Sequence, residues 1–286
     1  MMDQILFCSD LDRTILPNGP QSESTAARPL LRMLSARPEV VLVYVSGRNR
    51  QLLQQAIEQY DIPVPDYAVG DVGTTIYAIE SGQWIASRSW QERIAPDWHG
   101  TSHQKLAEIL AVLKPLKLQE PEKQNTFKLS YYLNPTEDIA TLVTAAEKIL
   151  LRAQIKATII WSIDETENIG LFDVLPASAT KLHAVRFLME HLKMPTSRTV
   201  FAGDSGNDLP VLVSDLQAVL VKNATDEVRQ EALKLAKQNG ALHNLYLAQG
   251  NFLGMNGNYS AGALEGLAHY LPELADFFAQ ALKNQQ

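Results

Sequence analysis

The stretch Ile5-Leu6-Phe7-Cys8-Ser9-Asp10-Leu11-Asp12-Arg13-Thr14 decides the fold. Its first half is an apolar run with the length of a short buried strand, and its second half is an acidic turn. In an open α/β sheet, ligands collect beyond the carboxyl ends of such strands. Two carboxylates spaced by two point the same way off a strand, so Asp10 and Asp12 predict a place where a divalent metal and a phosphoryl group meet. The plainer reading, a polar turn closing a strand, has comparable weight for Asp-x-Asp taken alone. The companions of the motif change that balance.

Far downstream, Thr199-Val200-Phe201-Ala202 runs into Gly203-Asp204-Ser205-Gly206-Asn207-Asp208, a second apolar run ending in an acidic turn. Two strands of one parallel sheet would bring Asp10, Asp12 and Asp204 to a common edge. There they offer the oxygen-only, partly hydrated coordination that Mg2+ prefers. Without a cation, three carboxylates so close would repel and at least one would hold a proton at neutral pH. A calcium loop is disfavoured, because the stretch from Asp204 lacks EF-hand spacing and a bidentate glutamate at the twelfth position.

Between these clusters, Val40 to Val45 ends in Ser46-Gly47-Arg48, which sets a small hydroxyl and a free backbone N–H at another strand end. Such a turn holds phosphate oxygens. Ser46 also reads as the cap of the helix carrying Gln51, Leu52 and Leu53, and the two roles are compatible because helix N-termini bind anions. Lys181 opens a helix whose apolar positions Leu182, Val185, Leu188 and Met189 fall at helical spacing. A lone lysine there would ordinarily be solvated, and its place before the last cluster is what raises it to a catalytic candidate.

Short strands alternate with helical patterns through residue 80, the βαβ pattern of a parallel sheet, and a hairpin follows around Ser81-Gly82. Residues 85–173 change texture, with helices near Ser102 to Leu113 and Glu137 to Leu151 and alternating strands at Phe127 to Leu133, Thr158 to Ile163 and Gly170 to Val174. The expected organisation is a Rossmann-like α/β core of residues 1–84 and 174–286 with an inserted α+β cap of residues 85–173. On the strand from Phe127, Lys128, Ser130 and Tyr132 alternate with Phe127, Leu129 and Tyr131, and Lys128 is the expected contact to a substrate hydroxyl or phosphate.

In order and spacing, Asp10-Leu11-Asp12-Arg13-Thr14, Ser46-Gly47-Arg48, Lys181 and Gly203-Asp204-Ser205-Gly206-Asn207-Asp208 resemble the four motifs of haloacid dehalogenase-like (HAD) phosphatases. Further stretches, among them Gly73-Thr74-Thr75-Ile76-Tyr77, Phe127 to Leu133, Asp173-Val174-Leu175-Pro176 and Tyr259 to Ala263, are similar to sucrose-6-phosphate phosphatases of the C2-capped, Cof-type branch. Leu182 and Thr75 depart from that pattern, where glycine and an acidic residue are common, and so does a longer C-terminal tail. The resemblance implies a Mg2+-dependent phosphatase in which Asp10 is the nucleophile, Asp12 the acid and base, and Lys181 and Ser46 the phosphate holders. It implies metal contacts at Asp10, at Asp12 through its carbonyl, and at Asp204 and Asp208. Substrate contacts are expected at Ser46, Gly47, Arg48, Lys128 and Asn207. Sucrose 6-phosphate is the first expected substrate. Mannosylfructose, glucosylglycerol, trehalose, mannosyl-phosphoglycerate and hexose phosphates are alternatives, and a phosphomutase is a third reading. An inactive Mg2+-binding partner of a sugar-phosphate synthase would be expected to lack Asp10 or Asp12, and both are present.

A chain of 286 residues with 46% hydrophobic and 20% charged side chains suits a core domain with a smaller insertion. A net charge of −7 argues against a nucleic-acid surface. The anionic substrate must therefore be drawn in locally, by the metal and Lys181. The single cysteine, Cys8, lies in an apolar run and excludes an internal disulfide. His99 and His103 stand four apart without an acidic or cysteine partner, which favours a surface pair over a zinc site. From Met1-Met2-Asp3-Gln4 no leader is expected, and no run is long enough for a membrane span. A cytoplasmic monomer is expected, with association to the synthase that makes its substrate as a further expectation.

Overall fold

Strand β1 (Ile5–Ser9) is buried along its whole length because it lies inside a sheet covered on both faces. Ile5 and Phe7 join one core with Leu30, Leu34, Leu264 and Phe278, while Leu6 and Cys8 join another with Val185, Leu188 and Leu212. Burying a side chain such as Phe7 contributes about 1.5–3 kcal/mol, so a polar residue on either face of this strand would be felt. The coordinates are a computed structural model that describes residues 4–164 and 167–284. Met1, Met2 and Asp3, on which the expectation of no leader rests, lie outside the described residues.

After β1 come α1 (Ala27–Ser35), β2 (Val40–Val45), α2 (Arg50–Tyr60), β3 (Tyr67–Gly70) and the hairpin of β4 (Thr75–Glu80) and β5 (Gln83–Ala86). The segment between hairpin and second half holds α3 (Arg88–Ile94), α4 (His103–Leu110), β6 (Lys117–Leu118), β7 (Leu129–Leu133), α5 (Ile139–Arg152), β8 (Ala157–Asp164) and β9 (Ile169–Pro176). The chain then forms α6 (Lys181–Leu192), β10 (Thr199–Gly203), α7 (Leu209–Leu212), β11 (Gln217–Leu220) and α8 (Asp226–Gln238). It ends in β12 (Leu245–Leu247), α9 (Ser260–Tyr270) and α10 (Glu273–Lys283).

The large sheet has the order β12-β11-β10-β1-β2-β3-β4-β5, parallel from β12 to β3 and antiparallel at β4 and β5. The chain runs outward from β1 through β2 and β3, then returns to β1's other side with β10, so the reversal of direction falls at β1. Ligand crevices form at that switch point, beyond the carboxyl ends of the strands. The second sheet, β6-β7-β9-β8, is antiparallel and packs α4 and α5 against Leu129, Tyr131, Phe172 and Val174. It forms the inserted α+β cap on the α/β core.

Local chemistry shifts some expected boundaries. The cap of α2 is Asn49, whose side chain accepts from Leu52 N–H at 2.9 Å, so the capping alternative for Ser46 is not realised. Lys128 precedes strand β7 instead of lying in it, because the Asn125 side chain accepts from Phe127 N–H and closes a tight turn. Trp90 is buried against Phe187 and donates to the Gly73 carbonyl at 3.1 Å. Among the described residues, no helix is long and apolar enough to cross a membrane.

Candidate active site

Asp10 follows β1 and Asp204 follows β10, and the register Ser9↔Ala202 places these two strand ends side by side. Lys181 comes from the first turn of α6, whose start is fixed by the Thr180 side chain accepting from His183 N–H at 3.2 Å. Its buried ammonium donates to Asp10 Oδ1 at 2.6 Å, to Asp208 Oδ1 at 2.7 Å and to Asn207 Oδ1 at 3.2 Å. The Thr14 hydroxyl lies between Asp10 Oδ2 at 3.4 Å and Asp204 Oδ1 at 3.2 Å. Asp208 Oδ2 accepts from the backbone N–H groups of Asp204 and Ser205, each at 3.1 Å, which folds the acidic turn around its own side chain.

Charge in this cluster is out of balance. One carboxylate oxygen each of Asp10, Asp204 and Asp208 lies within 4.8 Å of the others, and among the described residues Lys181 is the one ammonium bonded among them. Burial pushes the Asp10 pKa up, with Asp208 and Asp204 adding to the rise and Lys181 opposing it. Burial and Asp208 push Asp204 up to about 6, against Arg13 and Thr14. Burial works against the Lys181 charge, but Asp10 and Asp208 outweigh it and raise its pKa, so the ammonium persists. A buried surplus of hard oxygen donors is what a divalent cation such as Mg2+ neutralises, so the residues present fit one. The Asp12 carboxylate is absent from this cluster, and both oxygens of Asp208 already carry hydrogen bonds.

Asp12 instead faces Arg48, which donates from Nε at 2.8 Å and from Nη2 at 2.6 Å, and Asn18, which donates at 2.7 Å. Burial works to raise the Asp12 pKa, but Arg48 outweighs it and holds the carboxyl below its ordinary range. Ser46 is buried and its hydroxyl accepts from Arg48 N–H at 3.2 Å. Above these groups lies a cleft of about 900 Å³, lined from the core by Gly47, Val72 and Asn207 and from the cap by Lys123, Lys128 and Asp173. The structure thus assembles Asp10, Lys181, Asp204, Asp208 and Asn207 in one group and Asp12 with Arg48 in a second, with Lys128 across the cleft.

A profile of the sucrose-6F-phosphate phosphohydrolases matches residues 3–271. The chain belongs to this family. A protein of Nitrosococcus oceani described only as a HAD-like hydrolase is 55% identical over 273 residues, covering 96% of this chain and 73% of that one. The mannosylfructose-phosphate phosphatase of Agrobacterium fabrum is 28% identical and covers 93% of this chain and 96% of its own length. Among solved structures, the sucrose-phosphatase of Synechocystis sp. PCC6803, in complex with sucrose and phosphate, superposes with a TM-score of 0.72. It is 27% identical and covers 94% of this chain and 98% of that one. The chain is accordingly a phosphoric monoester hydrolase of the HAD type.

In this sucrose-6F-phosphate phosphohydrolase family member, several residues near the site were assigned no role by the sequence, Asn18 because it lies outside the motifs and Arg13 and Asp173 although they lie inside quoted stretches. Asn18, which holds Asp12, lies six residues beyond it in a loop, where asparagine is unremarkable. Arg13 Nε stands 3.5 Å from Asp204 Oδ2, and the buried Asn223 amide donates to the Arg13 carbonyl at 2.6 Å. Asp173 accepts from the Ser130 hydroxyl at 2.5 Å across the cap strands. Alternation on β9 could have placed Asp173 on the cleft face, because Phe172 and Val174 are the buried partners on the other.

Proposed function

We propose that the protein is a Mg2+-dependent phosphatase that hydrolyses a phosphorylated disaccharide, with sucrose 6-phosphate as the first substrate. The observation that carries this reading is Asp10, a buried carboxylate at a strand end held by Lys181 and Thr14 next to a cleft shared with the cap. Support for the sugar comes from the family and from the Synechocystis sucrose-phosphatase, which binds sucrose and phosphate. The Agrobacterium relative keeps mannosylfructose phosphate as a second candidate.

In this reading an Asp10 carboxylate oxygen attacks phosphorus, the phosphorus–oxygen bond to the sugar breaks, and Asp12 gives its proton to the departing alkoxide. Water then attacks the aspartyl-phosphate, Asp12 takes its proton, and the bond from phosphorus to Asp10 breaks. An acid that becomes a base serves both halves of a covalent mechanism. Lys181 and the Ser46–Arg48 turn hold phosphoryl oxygens, and Asn207 and Lys128 contribute substrate contacts. Asp10, Asp204 and the Asp12 carbonyl would hold Mg2+, with the charge of Asp208 close behind; bound there, the cation neutralises charge on the phosphoryl oxygens. Asp208 also anchors Lys181.

Phosphate release from sucrose 6-phosphate, mannosylfructose phosphate, glucosylglycerol phosphate, trehalose 6-phosphate and hexose phosphates, with Asp10→Asn as control, tests the proposal. A preference of about a hundredfold or more in kcat/KM for one disaccharide phosphate is expected from hydrogen-bonded selection. Turnover by Asp10→Asn close to wild type would overturn the covalent mechanism. A flat profile would remove the disaccharide.

A further inference from the structure

The stretch Tyr259-Ser260-Ala261-Gly262-Ala263 has no part in the proposed chemistry. Tyr259 is fully buried just before α9 and has φ of 51°, a conformation that bulky residues rarely adopt. It is held there from two sides. Its N–H donates to Asn223 Oδ1 at 2.7 Å, and its hydroxyl donates to the Gln21 carbonyl at 3.1 Å. The Ser260 hydroxyl donates to the Ile15 carbonyl at 2.9 Å. The start of α9 is thereby fastened to the loop that follows Asp10 and Asp12.

Asn223 lies in the turn after β11, is 4% exposed, and uses both ends of its amide. While Oδ1 accepts from Tyr259, Nδ2 donates to the Arg13 carbonyl at 2.6 Å. Arg13 is itself left-handed, with φ of 59°. Its N–H donates to Asn18 Oδ1 at 2.8 Å, and Asn18 Nδ2 donates to Asp12 Oδ1 at 2.7 Å. A trans peptide points its C=O away from its N–H, so the hold on the Arg13 N–H sets the direction of the Asp12 carbonyl. The hold on the Arg13 carbonyl fixes the next peptide, which carries the N–H of Thr14. Left-handed backbone costs a residue with a side chain about 1–2 kcal/mol, and Arg13 cannot relax from it without unpairing the buried Asn223 amide. The guanidinium bends back the same way, with Nη2 3.5 Å from the Asn223 carbonyl and Nε 3.5 Å from Asp204 Oδ2.

We propose that Asn223 is a positioning residue for the reaction, locking Arg13 in its left-handed conformation against the start of α9 and so fixing where the Asp12 carboxylate and carbonyl point. The inference rests on the role given to Asp12 as acid, base and metal contact. It goes beyond that role in placing the control of Asp12 outside the four motifs, in a turn 210 residues from Arg13 and in the buried tyrosine behind it.

The test measures kcat and KM for the sugar phosphate that the wild type hydrolyses best, in Asn223→Ala, in Asn223→Ala with Arg13→Gly, and in Asp12→Asn. In Asn223→Ala, kcat is expected to fall roughly tenfold with KM little changed, short of the about hundredfold that a full ångström of misplacement can cost. Arg13→Gly in that background is expected to recover about threefold or more of the lost kcat, because glycine holds a positive φ without help. Loss of packing alone would not be relieved by a glycine at residue 13. A folded Asn223→Ala with a lower Tm and unchanged kcat, or a kcat loss that the glycine does not relieve, would overturn the positioning role and leave Asp12 as the acid. Turnover by Asp12→Asn close to wild type would overturn the role of Asp12, and the positioning with it. Calorimetric titration with Mg2+ alone reads the carbonyl without catalysis. Affinity about fivefold weaker in Asn223→Ala, the size of one net hydrogen bond, supports the proposal, and unchanged affinity would overturn its carbonyl half. Asn223→Ser, which keeps a hydroxyl on the Tyr259 side, carries the comparison if the alanine variant does not fold.

Discussion

Asp204→Asn is expected to stabilise the Mg2+-free protein while destroying the proposed metal site. Burial and Asp208 push the Asp204 pKa from 3.8 to about 6, so the fold favours its protonated form. A group whose pKa rises on folding contributes its full stability below the unfolded value and loses it as pH climbs through the folded one. For Asp204 the loss runs from about pH 4 to just above pH 6, and it amounts to roughly 3 kcal/mol by the conversion of pKa to free energy. The side chain is 5% exposed, so solvent screening removes little of that. Asparagine keeps an acceptor for Thr14, and the Arg13 contact at 3.5 Å comes from a guanidinium 38% exposed and adds little. At about 2–4 °C per kcal/mol, the variant should melt roughly 6–12 °C above wild type at pH 7.5 in chelator and with it at pH 4. Adding Mg2+ should raise the wild-type Tm more at pH 7.5 than at pH 5, because the cation binds the ionised carboxylates. The assay is thermal denaturation followed by circular dichroism across that pH range. A variant less stable than wild type at pH 7.5 without metal would refute the charge surplus at the centre of the site.

Three other outcomes follow from local geometry. A Cβ at Gly203 would lie 2.7 Å from Asp208 Cβ, Cγ and Oδ2, a side chain with no room to yield. Gly203→Ala should therefore cost about 1–3 kcal/mol in urea unfolding and loosen Lys181 enough to depress kcat; an unchanged unfolding midpoint would contradict the packing. Arg48→Gln removes both guanidinium bonds to Asp12, lets it hold a proton at higher pH, and should extend sugar-phosphate turnover toward alkaline pH while lowering its overall rate. With p-nitrophenyl phosphate, whose leaving group needs no proton, the alkaline limb should not move, and identical displacement of that limb for both substrates would remove Asp12 as the acid. Lys128→Ala should raise KM for the best sugar phosphate more than for p-nitrophenyl phosphate, and equal effects would take it out of the sugar site.

The core was legible because its strands are apolar on both faces and end in short acidic or glycine-bearing turns. Strands β1, β2 and β10 could be read from Ile5, Val40 and Thr199 onward, and a parallel sheet brings such ends to one edge. Side-chain direction within the turns was not legible, because it depends on partners distant in the chain. Asp10 and Asp12 share a strand-like spacing, yet β1 ends at Ser9, before either of them, and the two carboxylates part. Asp10 turns to Lys181, 171 residues away, and Asp12 to Arg48, 36 residues away. Lys128 was placed on a strand by alternation, and a single asparagine side chain two residues before Phe127 moved it into a turn.

That parting of the two carboxylates bears on the proposed chemistry. Asp10 sits where burial and neighbouring acids raise its pKa, whereas Asp12 sits where a guanidinium lowers it. A nucleophile must be ionised when phosphate arrives, and an acid must hold a proton as the sugar leaves. In the metal-free protein both carboxylates are thus poised against the state the reaction needs. A bound cation would correct Asp10, since its charge favours the carboxylate. Asp12 needs Arg48 to let go, and the arriving phosphate is the one anion of the reaction able to compete for that guanidinium. In the proposed chemistry, substrate binding and readiness of the acid are therefore coupled through Arg48, so that the site would become chemically competent when metal and phosphate are both present. Arg48→Gln breaks that coupling, which is why its signature should be an alkaline limb displaced for one leaving group and not for the other.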